Sequence, residues 1–309
     1  MTTLRRVGIV HDSQLVPSAR LEDVLVEWLN WCRDRRGRSP ETLRSYAATA
    51  SDLRGWLGDP DLSAVTRVEL ESFIERPRAR GGRPAPNTVK REVATLRSFF
   101  GWCAQEQLVQ RSVAEGLFAP KARARNPRPV DDDAWRTWWH ADMPDPLRIA
   151  LGLGFYVGLR RAELVALRPS MITDETIDGF IRKGGGEHTI PWREMQEIVT
   201  ARLPAIGDHD NMLGDALARQ RALGSTTLLG WPCHEPIELN RRVRKWGERH
   251  RLPLFTPHQL RHSAATNLLR AGVPIHLVAS LLSHSSPAVT MIYVKAGGDQ
   301  LREWRLRSV

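Results

Sequence analysis

Between Ser18 and Leu108 the apolar residues return at three- and four-residue steps in four separate runs. That spacing confines this stretch to a bundle of short amphipathic helices, because it puts one apolar stripe on each helix and the stripes must cover one another. The first run is Leu21, Val24, Leu25, Trp28, Leu29 and Cys32, ended by Gly37. Ser39-Pro40-Glu41 restarts a helix, with Ser39 as N-cap and Pro40 at the first helical position. Its inward face reads Leu43, Tyr46, Ala47, Leu53 and Trp56, and Gly58 stops it. A third helix from Thr66 carries Val68, Leu70, Phe73 and Ile74; a fourth from about Asn87 carries Val89, Val93, Leu96, Phe99, Phe100 and Cys103. Residues 1–17 lack any such period and read as an N-terminal arm ahead of a helical domain over 18–108.

Residues 109–129 are basic, proline-bearing and poor in apolar side chains, which is the composition of a linker. A second domain is expected over 130–309. It opens on Asp131-Asp132-Asp133, carboxylates in a first helical turn where the peptide dipoles favour them, and then on Trp135, Trp138 and Trp139, a core cluster. Helices are expected at about 193–203, 237–249, 257–271, 274–282 and 286–293, with an apolar-spaced tail from about 297 carrying Leu301, Trp304 and Leu306. One segment breaks the helical rule: Ile177 to Trp192 reads as a β-hairpin whose turn is Lys183-Gly184-Gly185-Gly186. The expected fold is mainly α, a small four-helix domain linked to a larger, mostly helical one with a small β-hairpin.

The formal net charge of +10 and a pI near 10.3 point to a polyanionic partner, nucleic acid before acidic membrane. The clustered cations are Arg76, Arg78, Arg80, Arg83, Lys90 and Arg91, then Lys121, Arg123 and Arg125, then Arg241, Arg242, Arg244 and Lys245. They are candidates for contact with a phosphate backbone. The longest nearly apolar stretch, Ile149 to Leu159, is too short to cross a bilayer, and no apolar segment follows Arg5-Arg6 as a signal peptide would need. Three cysteines, widely spaced and without a CxxC, give neither a disulfide framework nor a zinc site.

The chemistry-bearing residues lie in the second half. Arg160 and Arg161 follow Gly158-Leu159 and precede Glu163; His258, Arg261 and His262 open a later helix; Ser283-His284 and Tyr293 come last. Two arginines, several histidines, a lysine on a turn and a tyrosine, with no metal-ligand carboxylates, suit phosphodiester cleavage by a protein nucleophile. Two bidentate guanidinium groups can hold the charge that gathers on a pentavalent phosphorus. A phenol, with its pKa near 10, needs its proton drawn off and its anion favoured by cations. His258 and His262 stand four apart, as zinc ligands can, but the HExxH glutamate is absent. Cys233-His234 are adjacent and cannot form a dyad alone.

In that order these residues resemble the tyrosine recombinase (phage integrase) family of the simple two-domain type, over nearly the whole chain. Arg160 stands in a Gly-Leu-Arg-x-x-Glu-Leu box, His258 and Arg261 in a His-x-Leu-Arg-His box, and His284 in a Leu-Gly-His-Ser-Ser box in which Ser283 replaces the glycine. Tyr293 matches the nucleophile, followed by Val294-Lys295 where Thr-His is common. The resemblance implies a site-specific DNA recombinase, most simply the integrase of a phage or other mobile element, with a Xer-type resolvase of chromosome or plasmid multimers as the alternative. It implies Arg160, Lys183, His258, Arg261, His284 and Tyr293 as the catalytic set, with Glu163 and His262 supporting them. It further implies a 3′-phosphotyrosine intermediate without metal, ATP or other cofactor. The expected partners are double-stranded attachment sites, three further copies of the chain around a Holliday junction, and in some systems a directionality factor, in the cytoplasm of a bacterial host at the nucleoid. A type IB topoisomerase and a catalytically dead DNA-binding regulator are weaker rivals.

Overall fold

The computed structural model describes residues 20–78, 81–121, 128–181, 187–203, 207–231, 236–283 and 291. Outside them lie the expected arm, the turn with Lys183, Arg80, Arg123, Arg125, Cys233, His284, Tyr293 and the tail. The chain divides into two compact units, Met1–Ala124 and Arg125–Val309.

In the first unit the four expected helices are α1 (Leu21–Asp34), α2 (Pro40–Leu57), α3 (Arg67–Glu75) and α4 (Pro86–Gln105), with a 3₁₀ turn at Leu62–Ala64. Their ends follow local chemistry. The Ser39 side chain accepts from Thr42 N at 3.3 Å, and α2 stops at Gly58 in the left-handed region. Thr66 and Glu69 form a reciprocal capping box on α3, with Thr66 N donating to Glu69 Oε2 at 2.7 Å. Trp28 is the centre of the core, stacked on Tyr46 at 4.9 Å and edge-on to Phe99 at 5.4 Å. Three expected core members are outside instead: Ala47 is exposed, Trp56 is 47% exposed and Val68 73% exposed. In α2 the buried stripe is Thr49, Ala50 and Leu53, so Trp56 falls on its flank, as exposed Ala47 does. Val109, Ala114 and Leu117 are buried in this same core, so packed chain runs past Leu108 into the segment expected to be linker.

Arg76 needs correction as a DNA contact. It is 9% exposed, lies 3.7 Å above the Phe73 ring, and donates to Asp52 at 2.8 Å and to Glu92 at 3.2 Å. Glu92 is itself 2% exposed and also accepts from Arg78 at 2.8 Å. A buried carboxylate requires such partners, and Arg76 is spent on it.

The second unit runs through α5 (Asp132–Trp139), α6 (Asp145–Gly152), a π-helical turn (Leu153–Val157), α7 (Arg161–Ala166), a 3₁₀ turn (Pro169–Met171), β1 (Ile177–Ile181), β2 (Glu187–Ile190), α8 (Trp192–Arg202), α9 (Met212–Ala222), α10 (Pro236–His250), α11 (Pro257–Arg270) and α12 (Ile275–Leu281). Asp131 caps α5, accepting from Asp133 N and Ala134 N. The three tryptophans of α5 are fully buried, Trp135 lying flat on Phe155 with ring centroids 3.7 Å apart. β1 and β2 pair antiparallel as the expected hairpin, with Ile177 opposite Ile190 and an irregularity before Phe180. Helix α9 was not expected. Its cap is Asp208, which accepts from Met212 N and Leu213 N across an intervening loop, and Ala216 and Gln220 take stripe positions usually held by larger apolar residues. Gly152 lets α9 approach α6, since a Cβ there would stand 2.8 Å from Leu213 Cδ1 and 2.9 Å from Trp139 Cη2.

Candidate active site

The site is built where the apolar run of α6 ends. The helix widens into the π turn and closes at Gly158, whose φ is +76°. Glycine is needed there twice. A Cβ would be in a backbone region that side chains disfavour, and it would collide with Leu282 Cδ2 and come within 3.0 Å of Ala264 Cβ. Leu159 is buried immediately beyond and Arg160 leads into α7 in an extended conformation. Glu163 fixes Arg160 from one turn on, accepting from its backbone N at 2.6 Å and from Nη1 at 2.8 Å. The other arm of the guanidinium, Nη2, donates to the Ser283 carbonyl at 2.9 Å.

Helix α11 supplies the facing wall. Thr256 and Gln259 cap it reciprocally, with Thr256 N donating to Gln259 Oε1 at 2.9 Å, and Pro257 occupies the first position. This sets His258 on the first turn and Arg261 on the next. Arg261 is 4% exposed and grips two carbonyls, Gly158 O from Nη1 at 2.5 Å and Leu282 O from Nη2. The guanidinium groups of Arg160 and Arg261 therefore hold consecutive carbonyls of the turn that follows α12. His258 meets His262 edge-to-face, ring centroids 4.5 Å apart.

Burial, and then the positive charge of the site, keeps both imidazoles neutral near pH 7. Partial loss of solvent lowers the pKa of His258, and the Arg261, Arg161 and Arg160 guanidiniums lower it further. His262, half-buried behind it, is pushed down to about 4 by burial first and then by His258 and Arg261. A neutral imidazole at the edge of a cationic cluster can accept a proton, and the cations beside it stabilise negative charge on a bound anion. Arg161 stands beside Arg160 in the sequence motif but is given no role there; its charge acts on His258.

Of the expected site residues, the structure brings Arg160, Glu163, His258, Arg261 and His262 together. Lys183, His284 and Tyr293 are outside the described residues. The other two tyrosines are core residues: Tyr46 stacks on Trp28, and Tyr156 is fully buried, its hydroxyl pKa driven far up by burial and then by the charge of Asp208. Among the described residues no three His, Cys, Asp or Glu side chains converge as metal ligands, and no helix is long and apolar enough to cross a membrane.

The remaining cations differ in what they are free to do. Arg83, Lys90, Arg91 and Lys121 are exposed on the first unit. On α10, Arg241 and Arg242 both pair with Glu238, Arg242 also lies 4.9 Å from the Trp231 ring centroid, and Arg244 pairs with Glu248 at 2.7 Å. Arg241, Arg244 and Lys245 remain on the exposed side of that helix.

The sequence model of the phage integrase family matches residues 140–298, and that of the phage integrase N-terminal SAM-like domain matches residues 25–107. The tyrosine recombinase XerC of Roseiflexus castenholzii is 30% identical, over 86% of this chain and 86% of its own length. Its counterpart in Rhodospirillum centenum is 29% identical over 90% of this chain and 84% of its own length. In fold, the chain resembles a lambda integrase (75–356) dimer bound to a COC′ core site, with a TM-score of 0.69 and 20% identity over 91% of this chain and 97% of that one. It also resembles the Tn1549 transposon integrase, with a TM-score of 0.60 and 16% identity over 93% and 99% of the two chains. The chain belongs to the phage integrase family and is a tyrosine recombinase, an enzyme of site-specific recombination that cuts and rejoins DNA.

Proposed function

We propose that this recombinase is the integrase of a phage or other mobile element and that Tyr293 is its nucleophile. The phenolic oxygen attacks the scissile phosphorus, forming a 3′-phosphotyrosyl bond and releasing a 5′ hydroxyl. Arg160 and Arg261 hold the nonbridging oxygens and His284 hydrogen-bonds one of them. His258 accepts the phenolic proton and Lys183 protonates the leaving 5′ oxygen. The phosphodiester's bond energy is kept in the protein–DNA link, so rejoining needs neither ATP nor a metal ion. Each electrostatic or acid–base contribution of this kind is worth roughly 10²–10⁴-fold in rate. The observation that carries the reading is the convergence of Arg160 and Arg261 on neighbouring carbonyls beside a His258 whose pKa is depressed.

The partners in this reading are double-stranded attachment sites, synapsed by four copies of the chain through a Holliday junction, with a directionality factor where excision is controlled. Arg78, Arg83, Lys90, Arg91, Lys121, Arg241, Arg242, Arg244 and Lys245 are the described cations proposed to meet the DNA, Arg78 and the paired arginines of α10 after exchanging a carboxylate for phosphate. The work is done in the cytoplasm of a bacterial host, at the nucleoid. Lambda integrase solved as a tetramer on a Holliday junction supports the assembly by likeness of fold.

A second reading, a Xer-type resolvase, is favoured by the names of the curated relatives matched over most of their length. The DNA flanking the gene separates the two: a tRNA gene or short direct repeats bounding an element supports the integrase. The chemistry is tested by incubating Tyr293→Phe with a nicked suicide attachment site. Covalent adducts from that variant would refute the nucleophile, and loss of native activity in EDTA would refute the metal-free mechanism.

A further inference from the structure

The turn that follows α12 carries more information than its length suggests. Ser283 has a φ of +48°, in the left-handed region that a Cβ disfavours, and its N–H donates to Ser280 O at 2.8 Å to close the turn. Leu282, 1% exposed, is wedged into the space that the absent side chain of Gly158 leaves. This conformation presents two successive carbonyls to the site: Leu282 O to Arg261 and Ser283 O to Arg160. A guanidinium has five N–H donors in a rigid plane, so one edge can rest on a carbonyl while another receives a phosphate.

We infer that Ser283 is a positioning residue whose left-handed backbone, rather than its hydroxyl, aims the Leu282 and Ser283 carbonyls at Arg261 and Arg160 and so fixes the two guanidinium planes. The inference rests on the phosphate-clamp reading of those arginines. Three features support it independently of any titration: the positive φ, the two carbonyl–guanidinium bonds, and the tight seat of Leu282 against Gly158. It makes residue 283 a tuning point for cleavage. Glycine there would hold the turn without steric opposition, alanine would meet the same opposition as serine, and a β-branched residue would be driven out of the left-handed region.

The test is single-turnover adduct formation at saturating DNA, on a nicked suicide duplex carrying the attachment site recovered from the flanking DNA. Native protein is compared with Ser283→Gly, Ser283→Ala and Ser283→Val, with affinity for the same duplex measured by gel shift. Ser283→Gly should cleave about fivefold faster than both native and Ser283→Ala, and Ser283→Val about tenfold slower than native, while affinities stay within about twofold. A purely structural role would lower affinity and cleavage together. Ser283→Gly cleaving no faster than Ser283→Ala, or a folded Ser283→Val matching native, overturns the inference. Should Ser283→Val fail to fold, the glycine–alanine pair still decides. Arg160→Ala cutting at the native rate would instead bring down the clamp reading beneath it.

Discussion

Replacing Gly158 by alanine perturbs the fold and the site through a single methyl group. The left-handed conformation at φ +76° opposes an L-residue by about 1–2 kcal/mol. The new Cβ collides with Leu282 Cδ2 and comes within 3.0 Å of Ala264 Cβ, two fully buried side chains, and overpacking of that kind costs about 1–3 kcal/mol. Restricting the unfolded chain returns about 0.4–1 kcal/mol. At the middle of each range the net is a loss of about 3 kcal/mol. In a unit of this size each kcal/mol moves the midpoint by roughly 2–4 °C, so Tm should fall by about 6–12 °C. Cleavage should suffer separately, because the Gly158 carbonyl holds Arg261 Nη1 at 2.5 Å and relief of the clash displaces that carbonyl. A displacement near 1 Å costs on the order of 10²-fold in rate. Calorimetry gives the first number, and suicide-site cleavage well below the variant's Tm gives the second. A Tm within about 2 °C of native, together with undiminished cleavage, would show that the turn accepts a Cβ at residue 158.

Removing the Arg161 charge by Arg161→Gln should raise the pKa of His258, so the acid limb of the cleavage pH profile moves to higher pH; an unmoved or lower limb contradicts the electrostatic account. Because His262 titrates at about 4 in the folded chain and near 6.5 unfolded, the unfolded state binds more protons between those values. Its contribution is fully present above the unfolded value and is lost as pH falls toward 4, so the urea midpoint should drop across that window and drop less in His262→Phe. Arg76→Ala should cost about 3 kcal/mol of stability by leaving Glu92 short of a partner, read from denaturant unfolding. Arg83→Ala and Lys90→Ala should leave stability within about 0.5 kcal/mol and each reduce the salt slope of DNA binding by about 1.

The helical bundle was legible because Trp28, Leu53, Phe73 and Phe99 recur at helical spacing and because Ser39, Gly58 and Thr66 mark ends with local chemistry. Trp56 shows the limit of that signal: periodicity finds a stripe, and the packing partner decides where its edge falls. Helix α9 was hidden because its cap, Asp208, acts across a loop and its buried face uses alanine and glutamine. Arg76 was misread as a DNA contact for a related reason. A cluster of arginines looks the same in sequence whether it faces solvent or neutralises a buried Glu92 sixteen positions on. In the site, residue types and order pointed to Arg160, His258 and Arg261. That Gly158 and Leu282 must interlock, and that consecutive carbonyls hold the arginines, depends on the close approach of α11, the π turn and the end of α12, which spacing alone does not encode.

In the proposed reaction Tyr293 becomes covalently joined to DNA at a phosphate held by Arg160 and Arg261. Trapping the adduct on a suicide attachment site, digesting both polymers and sequencing the modified peptide by tandem mass spectrometry tests it most directly. The expected product is a nucleotide linked through its 3′ phosphate to Tyr293, with no adduct from Tyr293→Phe. A nucleotide on any other residue, or one linked through its 5′ phosphate, would contradict it.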